Sequence, residues 1–356
     1  MSFINSMTPI SANRGEWSEL YAICYLIING GGFSANEFAK IDKSVFYKVL
    51  QIVDNATGMS ETIYKLNDND VEVLQNGLAV YRISKGEIAS KLEVFFRDLL
   101  DQSNAHAFNL ASGEALMKFI KKDKLSASSA LTSDVHLVLE DRESKLETPR
   151  RGFSVKSELG SPATIFNASG STNLVYQISG PAKPNTFQDV SGVKTNLITL
   201  VNLGYKLKFQ KYDNPILEMS LENIDSNLPT YLAELMLNYY LSKTTNLANL
   251  CEVTFPSAES DSSMKISKIK KFLSAASMGL KANQLWSGYP GDFGGMLLVK
   301  ETGDVLFYYL YNMQKFEEYL YRNLRFETPS ATRHGFGQIY EEDGKFYIKL
   351  NLQIRF

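Results

Sequence analysis

The pattern of apolar residues changes at Ser133, and this change constrains the fold more than any other feature of the chain. After Ser133 the apolar residues alternate in short runs, as in 134–139 and 152–157, which is typical of β-strands. The preceding region, 36–130, is interpreted as mainly helical because its apolar residues recur at helical spacing. The sequence therefore predicts an α+β or mixed α/β protein with a central mixed sheet.

The same periodicities predict the individual elements. Helices are expected around the apolar face of Leu92, Phe95, Phe96, Leu99 and Leu100, and over about 15–28, 112–121, 228–241, 264–279 and 313–325. Further strands are expected at 175–178, 194–201, 296–300 and 305–311, and a C-terminal hairpin is expected to pair 336–341 with 345–356. The Gly-rich segment 287–295 is interpreted as a flexible surface loop.

A polar, Ser-rich segment at 252–263 is the expected domain boundary. The first part, 1–255, would hold the N-terminal helical region and the hairpin of 134–157. The second part, 256–356, would be a smaller α/β region ending in the C-terminal hairpin. A single integrated domain is the alternative.

Charge and motifs exclude several classes of protein. The formal net charge of −2 gives no strong overall field, so any site for a polyanion must be a local patch. Two cysteines cannot form a disulfide framework, and His106, His136 and His334 have no zinc-ligand spacing. The chain has no phosphate-binding loop, dinucleotide-binding turn or nucleophile elbow. With no signal peptide and no long apolar run, we expect a soluble cytoplasmic protein.

The hairpin of 134–157 carries the chemistry. If residues whose numbers sum to about 290 are opposite each other, Asp134 faces Lys156, and Ser154 and His136 share that face. Asp134 and the Val155 carbonyl could bind a divalent cation, and a lysine beside it could orient a water molecule. This arrangement suits a metal-dependent phosphodiesterase. A surface ion pair across the hairpin is the alternative interpretation.

Two further features could extend this site. Glu16 and Glu19 lie three residues apart at the start of the first helix, where they either complement the helix dipole or complete a metal site. The segment 158–173 is rich in small polar residues that suit contact with a nucleic-acid backbone. The charge run 121–124 is interpreted as a solvated helix end, with phosphate contact as the alternative.

Three blocks of sequence resemble the HpaII family of type II restriction endonucleases. They are NRGEWSELY at 13–21, GFSVKS at 152–157 with LGSPAT at 159–164 and NAS at 167–169, and HGFG at 334–337 with YIKLNLQIRF at 347–356. The resemblance implies a nuclease of the PD-(D/E)XK superfamily. It also implies double-stranded DNA as the substrate, Mg²⁺ as the cofactor and CCGG as the recognition sequence.

The resemblance also implies roles for particular residues. Asp134 matches the first acid of the superfamily's motif and Lys156 matches its lysine, whereas Ser154 occupies the position of the middle acid. Glu19 is the preferred replacement for that acid, with Glu16 and Glu158 in reserve. The expected metal ligands are Asp134, the Val155 carbonyl, Glu19 and Glu16.

Candidate DNA contacts come from the polar segment, from the basic stretch 205–211 and from the C-terminal block. They are Ser161, Thr164, Asn167, Asn173, Lys206, Lys208, Arg333 and His334. The alternation in 205–211 is equally typical of an ordinary half-exposed strand.

Two other functions remain open from the sequence. Ser154 could mark a nuclease site that has decayed, which would leave a DNA-binding protein without cleavage. A repair nuclease of the same fold would instead recognise DNA structure. A restriction enzyme implies a cognate methyltransferase as its functional partner, and it would act either as a homodimer or as a monomer that nicks each strand in turn.

Overall fold

The computed structural model describes residues 9–54, 61–102, 106–125, 133–160, 162–184, 192–288, 291–329 and 335–356. The chain divides into two compact units, and each unit is discontinuous in sequence. The first unit comprises Met1–Ala163 and Gly291–Lys315, and the second comprises Thr164–Pro290 and Phe316–Phe356. The expected boundary between residues 255 and 256 falls inside the second unit.

The α-helices of the described residues are α1 (Arg14–Asn29), α2 (Lys85–Leu100), α3 (Ala111–Phe119), α4 (Val193–Asn202), α5 (Pro215–Glu222), α6 (Leu228–Leu241), α7 (Leu247–Thr254), α8 (Ser262–Ser277) and α9 (Met313–Asn323). The strands are β1 (Ser11–Ala12), β2 (Gly31–Ala35), β3 (Ile41–Asp54), β4 (Thr62–Leu66), β5 (Asp70–Gln75), β6 (Leu78–Ser84), β7 (Phe108–Asn109), β8 (Val135–Leu139), β9 (Arg151–Ser157), β10 (Thr164–Phe166), β11 (Asn173–Ser179), β12 (Lys206–Tyr212), β13 (Phe293–Val299), β14 (Val305–Tyr309), β15 (Arg325–Phe326), β16 (Ile339–Glu342), β17 (Lys345–Asn351) and β18 (Ile354–Arg355).

The first unit is built on a mixed sheet of nine strands in the order β2-β14-β13-β9-β8-β3-β4-β5-β6. The pairs β9–β13 and β2–β14 are parallel, and the other pairs are antiparallel. Strand β2 also pairs with β3, so six strands form a closed ring of pairings. The antiparallel strands β4, β5 and β6 continue the sheet beyond this ring. The expected mixed sheet of an α/β protein is therefore present.

Helix α1 packs against this sheet because its sequence fixes both its ends and its buried face. Asn13 and Glu16 form a capping box at the N-terminus, and Gly30 ends the helix in the left-handed conformation at φ 65°. Trp17 and Leu20 are fully buried in the core that α1 shares with β8, β9 and α2. The indole N–H of Trp17 also donates a hydrogen bond to the Phe108 carbonyl.

The second unit contains a four-stranded antiparallel sheet in the order β12-β11-β17-β16 and a three-stranded sheet of β10, β18 and β15. Helix α6 covers one face of the larger sheet. The Tyr176 hydroxyl donates to the Ala233 carbonyl at 2.7 Å, and the Tyr212 hydroxyl donates to the Pro229 carbonyl at 3.0 Å. The expected C-terminal hairpin is present as β16–β17, but it is shorter than expected, because β18 pairs with β10 and β15 instead. Its Asp343-Gly344 turn has positive φ at both residues, as a type I′ turn requires.

All six individually predicted helices are confirmed, and they are now named α1, α2, α3, α6, α8 and α9. The interpretation of 36–130 as mainly helical is wrong, because β3 to β6 occupy much of it. A strand signal was present there: Val71 and Val73 alternate with acidic residues, and Asn76-Gly77 forms the following tight turn with positive φ at both positions.

Two shorter predictions are also wrong. The expected strand at 194–201 is the helix α4, because Val193, Leu197 and Leu200 are buried at helical spacing. The Gly-rich segment 287–295 is not wholly a surface loop, since it enters the buried strand β13 at Phe293. A Cβ on Gly295 would lie 2.1 Å from the Tyr308 carbonyl oxygen, so only glycine allows this close packing.

No helix in the described ranges is both long enough and apolar enough to span a membrane.

Candidate active site

The hairpin β8–β9 places the predicted acid beside the predicted lysine, but in a different register. Val135 lies opposite Phe153 and His136 opposite Gly152, so paired residues sum to 288. Asp134, which precedes β8, therefore comes opposite Ser154, and the expected direct pairing with Lys156 is wrong. Because side chains alternate along a strand, this shift by two residues keeps Asp134, Ser154 and Lys156 on one face.

Gly152 explains why this register is stable. A Cβ at this position would lie 2.2 Å from Ser133 Oγ and 3.3 Å from His136 Nε2, so the two strands approach closely only because the residue is glycine. On the other face of the hairpin, Val135 and Phe153 are both buried in the core. A shift by one residue would expose these two side chains, so hydrophobic burial also opposes it.

The Asp134 carboxylate is held by the neighbouring strand. The Val155 backbone N–H donates a hydrogen bond to Asp134 Oδ2 at 2.6 Å, and the Asp134 N–H donates to the Phe153 carbonyl at 3.0 Å. Burial raises the pKa of Asp134, while the positive charge of Lys156 and the Val155 hydrogen bond oppose the rise. Asp134 is thus a partly desolvated carboxylate beside a cation.

Glu19 on α1 contributes a second carboxylate to the same place. The adjacent residue, Ser18, is hydrogen-bonded to the Ser157 hydroxyl of β9 at 2.8 Å, and this contact fixes the helix against the strand. Burial and the negative charge of Asp134 raise the pKa of Glu19 to about 9, and the charges of Lys122 and Lys156 oppose the rise. The Asp134 carboxylate therefore lies close enough to Glu19 to disfavour ionisation of Glu19.

The Glu16 carboxylate is engaged with the backbone at the start of α1 and not with the candidate metal site. Its carboxylate accepts a hydrogen bond from the Asn13 N–H at 2.7 Å, and its own N–H donates to the Asn13 side chain at 3.0 Å. This reciprocal pair caps α1 and favours the helix-terminus interpretation of Glu16. The reserve acid Glu158 is also engaged, since it forms an ion pair with Lys300.

Sequence reasoning missed a buried lysine next to these acids. The Lys122 ammonium lies 2.6 Å from Asp54 Oδ2, and the two side chains are only 2% and 4% exposed. The interpretation of 121–124 as a solvated helix end is therefore wrong for Lys122, although Lys121, Asp123 and Lys124 are exposed. Burial of a lysine is costly unless an acid pairs with it, and Asp54 meets that requirement.

The donor set fits a magnesium ion that keeps much of its hydration. Among the residues that the structure describes, no group of three or more His, Cys, Asp or Glu is placed to hold a metal ion. Asp134 and Glu19 nevertheless supply two carboxylates. Mg²⁺ is commonly held by one or two carboxylates, with water and substrate phosphates completing its coordination.

The expected DNA contacts have mixed outcomes. Asn173 is wholly buried, and its side-chain oxygen accepts a hydrogen bond from the Asn351 amide at 2.7 Å, so its assignment as a surface contact is wrong. Thr164 is half-buried and accepts a hydrogen bond from Arg355 Nε at 2.9 Å. The side chains of Asn167, Lys206 and Lys208 are exposed. Three further candidates, Ser161, Arg333 and His334, lie outside the described residues.

Comparison with known proteins identifies the family of the chain. The sequence model of the family described as HpaII restriction endonuclease matches residues 13–356. The "Type II restriction enzyme HpaII" of Haemophilus parainfluenzae is 34% identical over 360 residues, which cover 97% of this chain and 98% of that protein. No solved structure matches the chain.

These findings place the protein in the class of type II restriction endonucleases, which are site-specific deoxyribonucleases. Within that class, the chain belongs to the HpaII restriction endonuclease family, and the match covers nearly its whole length.

Proposed function

We propose that this protein cleaves double-stranded DNA at CCGG by Mg²⁺-dependent hydrolysis of the phosphodiester bond, and that it leaves 5′-phosphate and 3′-hydroxyl ends. The observation that carries the proposal is geometric: the hairpin β8–β9 puts Asp134 and Lys156 on one face, and the Ser18–Ser157 hydrogen bond holds the helix that carries Glu19 against β9. The raised pKa values of Glu19 and Asp134 agree with this convergence. The CCGG sequence is what the resemblance to the HpaII family implies, and the chain is 34% identical to a type II restriction enzyme of that name.

The arrangement supports a core of the PD-(D/E)XK type. Asp134 precedes one strand of the hairpin and Lys156 lies on the other, as the first acid and the lysine of that motif do. Ser154 stands where the middle acid would be, and Glu19 reaches the site from α1 instead. A carboxylate from the helix would thus replace a carboxylate from the strand.

Each residue has a role that follows from its charge. Asp134, Glu19 and the Val155 carbonyl would hold Mg²⁺, which when bound stabilises negative charge on the scissile phosphate and increases the acidity of water. Lys156 would orient the attacking water and stabilise the charge that develops on the phosphate oxygens. Attack in line with the leaving 3′ oxygen then breaks the phosphodiester bond.

A restriction enzyme of this type requires protection of the host DNA, so a cognate methyltransferase is its functional partner. A palindromic site presents the same sequence on both strands, so either a two-fold symmetric dimer or two successive nicks by a monomer would cut both.

The test is digestion of a plasmid of known sequence with the purified protein and Mg²⁺, followed by sequencing of the fragment ends. We expect discrete fragments whose ends all map to CCGG. Cleavage at junctions or mismatches without regard to sequence would instead support a repair nuclease. A plasmid that stays uncut, but that the protein still binds in a gel-shift assay, would indicate a decayed nuclease site.

A further inference from the structure

The four-stranded sheet of the second unit has one covered face and one basic face. Its covered face carries the apolar and aromatic side chains that pack on α6, including Tyr176 and Tyr212. Alternation directs the intervening residues to the opposite side. An antiparallel sheet of this kind commonly buries one face and leaves the other to solvent.

The opposite face collects lysines from two strands. On β12 these are Lys206, Lys208 and Lys211, and on β17 they are Lys345 and Lys349. All except Lys349 are exposed. In the described part of the chain, Lys349 forms an ion pair with Asp213 at 2.8 Å, and the other four have no ion pair. We refer to this surface as the lysine face.

The centre of the lysine face is polar and aromatic. Lys208, Gln177, Tyr347 and Tyr340 stand in one row across the four strands. The rings of Tyr340 and Tyr347 are stacked, with centroids 5.6 Å apart and planes inclined by 29°. This row offers hydroxyl and amide groups between lysines on either side, and such groups commonly hydrogen-bond to the backbone of nucleic acids.

The spacing of the lysines suits a duplex. Strands β12 and β17 are separated by β11, so their lysines stand about 10 Å apart at the backbone. The major groove of B-form DNA is about 12 Å wide, and lysine side chains are long and flexible. Lysines on the two strands can therefore reach phosphates on both sides of one groove. Two acidic residues oppose this charge: Glu342, which is exposed and lies opposite Lys345 in the strand register, and Asp213, which is paired with Lys349.

We propose that the lysine face is a docking surface for the phosphate backbone of double-stranded DNA. Its position on the second unit makes it a binding surface in addition to the acidic site of the first unit. The overall charge of −2 makes such a local patch the expected means of binding a polyanion. The inference rests on the proposed function, because it assumes that the substrate is duplex DNA.

The test compares two triple variants that remove the same charge. The first is Lys206→Gln/Lys208→Gln/Lys211→Gln on the lysine face. The control is Lys40→Gln/Lys43→Gln/Lys65→Gln, which removes three exposed lysines from the first unit. Binding of a short CCGG duplex is measured by fluorescence anisotropy over a range of salt concentrations, with Ca²⁺ in place of Mg²⁺. Thermal unfolding verifies that both variants are folded.

We expect the lysine-face variant to bind at least roughly tenfold more weakly. Its affinity should also depend less on salt, with the slope of log affinity against log salt concentration smaller in magnitude by about 2 to 3. The control should bind as the unmodified protein does. Glu342→Gln should strengthen binding, because it removes a negative charge from the same face without removing a contact.

Equal losses in the two triple variants, or an unchanged affinity of the lysine-face variant, would overturn the inference while leaving the proposed function intact if the unmodified protein still cuts CCGG. If the unmodified protein neither binds nor cuts the duplex, the proposed function itself fails.

Discussion

The backbone N–H of Val155 donates a hydrogen bond to the Asp134 carboxylate at 2.6 Å, between residues 21 positions apart in the chain. This bond holds the acid of one strand beside the residue that precedes Lys156 on the next strand. It also favours the ionised form of Asp134 against the effect of burial. The acid and the lysine are therefore positioned by the backbone of a single hairpin.

Removing either group should abolish cleavage without abolishing binding. For Asp134→Asn and Lys156→Met we expect the single-turnover rate of cleavage to fall by about 10²-fold or more, since each loses a charge next to the reacting phosphate. The affinity for a CCGG duplex, measured with Ca²⁺, should be retained. Lys65→Met, on the exposed side of β4, is the matched control and should cut normally. Normal cleavage by the Lys156 variant would remove that residue from the site.

The stability of the metal-free protein should depend on pH through Glu19. Folding raises the pKa of this carboxyl from 4.5 to about 9, so between these values the folded chain keeps a proton that the unfolded chain has lost. The contribution of Glu19 to stability is therefore most favourable below pH 4.5 and falls as the pH rises towards 9.

Glu19→Gln removes this titration. In EDTA, the melting temperature of the variant should therefore fall less between pH 5 and pH 8 than that of the unmodified protein. At pH 8 we expect the variant to be more stable by about 3 to 5 kcal/mol, because each pH unit above 4.5 costs the unmodified protein about 1.4 kcal/mol, and its melting temperature to be several degrees higher. Mg²⁺ should raise the melting temperature of the unmodified protein more than that of the variant. An identical pH dependence in both proteins would contradict the buried position of Glu19.

The buried ion pair of Lys122 and Asp54 should be needed for folding stability. Lys122→Met leaves the Asp54 carboxylate buried without this cation, and we expect a loss of about 3 to 5 kcal/mol in the free energy of unfolding in urea. The double variant Lys122→Met/Asp54→Leu should recover a large part of that loss, because it removes both charges. A single variant as stable as the unmodified protein would show that the pair is not desolvated.

Asn173 should stabilise the second unit and have no direct role in binding DNA. Its side chain pairs with Asn351, whose amide also donates to the Ser169 carbonyl at 2.7 Å. Asn173→Ala leaves a buried donor without its acceptor, which costs about 1 to 3 kcal/mol. At a temperature where the variant is folded, its affinity for the duplex should equal that of the unmodified protein. Weaker binding by a fully folded variant would instead support Asn173 as a DNA contact.

The sequence predicted the elements whose periodicity is strong. Helix α1 has its capping box, its buried stripe and its terminating Gly30 in consecutive residues, and α6 was predicted with the bounds that the structure shows. The strands β3 to β6 were missed because many of their exposed residues are apolar, such as Phe46 on β3 and Leu78 and Val80 on β6. In β3 and β6 the apolar and polar residue types do not alternate clearly, so the sequence does not show which face is buried. Asn76-Gly77 nevertheless marked the turn between β5 and β6.

The candidate site divides in the same way. Asp134 and Lys156 are joined by one hairpin, so local pairing predicted their proximity, and only the register needed correction. Lys122 and Asp54 are 68 residues apart, and only tertiary packing brings them together. Asn173 has the residue type of a DNA contact, and its burial against Asn351 depends on a strand pairing at the end of the chain.

The most direct test of the proposed metal site is the dependence of cleavage on Mg²⁺ in the unmodified protein and in Glu19→Gln. A CCGG duplex is cut under single-turnover conditions over a range of Mg²⁺ concentrations, with EDTA as the blank. We expect no cleavage in EDTA, saturable cleavage by the unmodified protein, and a variant that needs much more Mg²⁺ or does not cut at all. Cleavage in EDTA, or the same Mg²⁺ dependence in both proteins, would contradict the assignment of Glu19 and Asp134 as the metal-binding carboxylates.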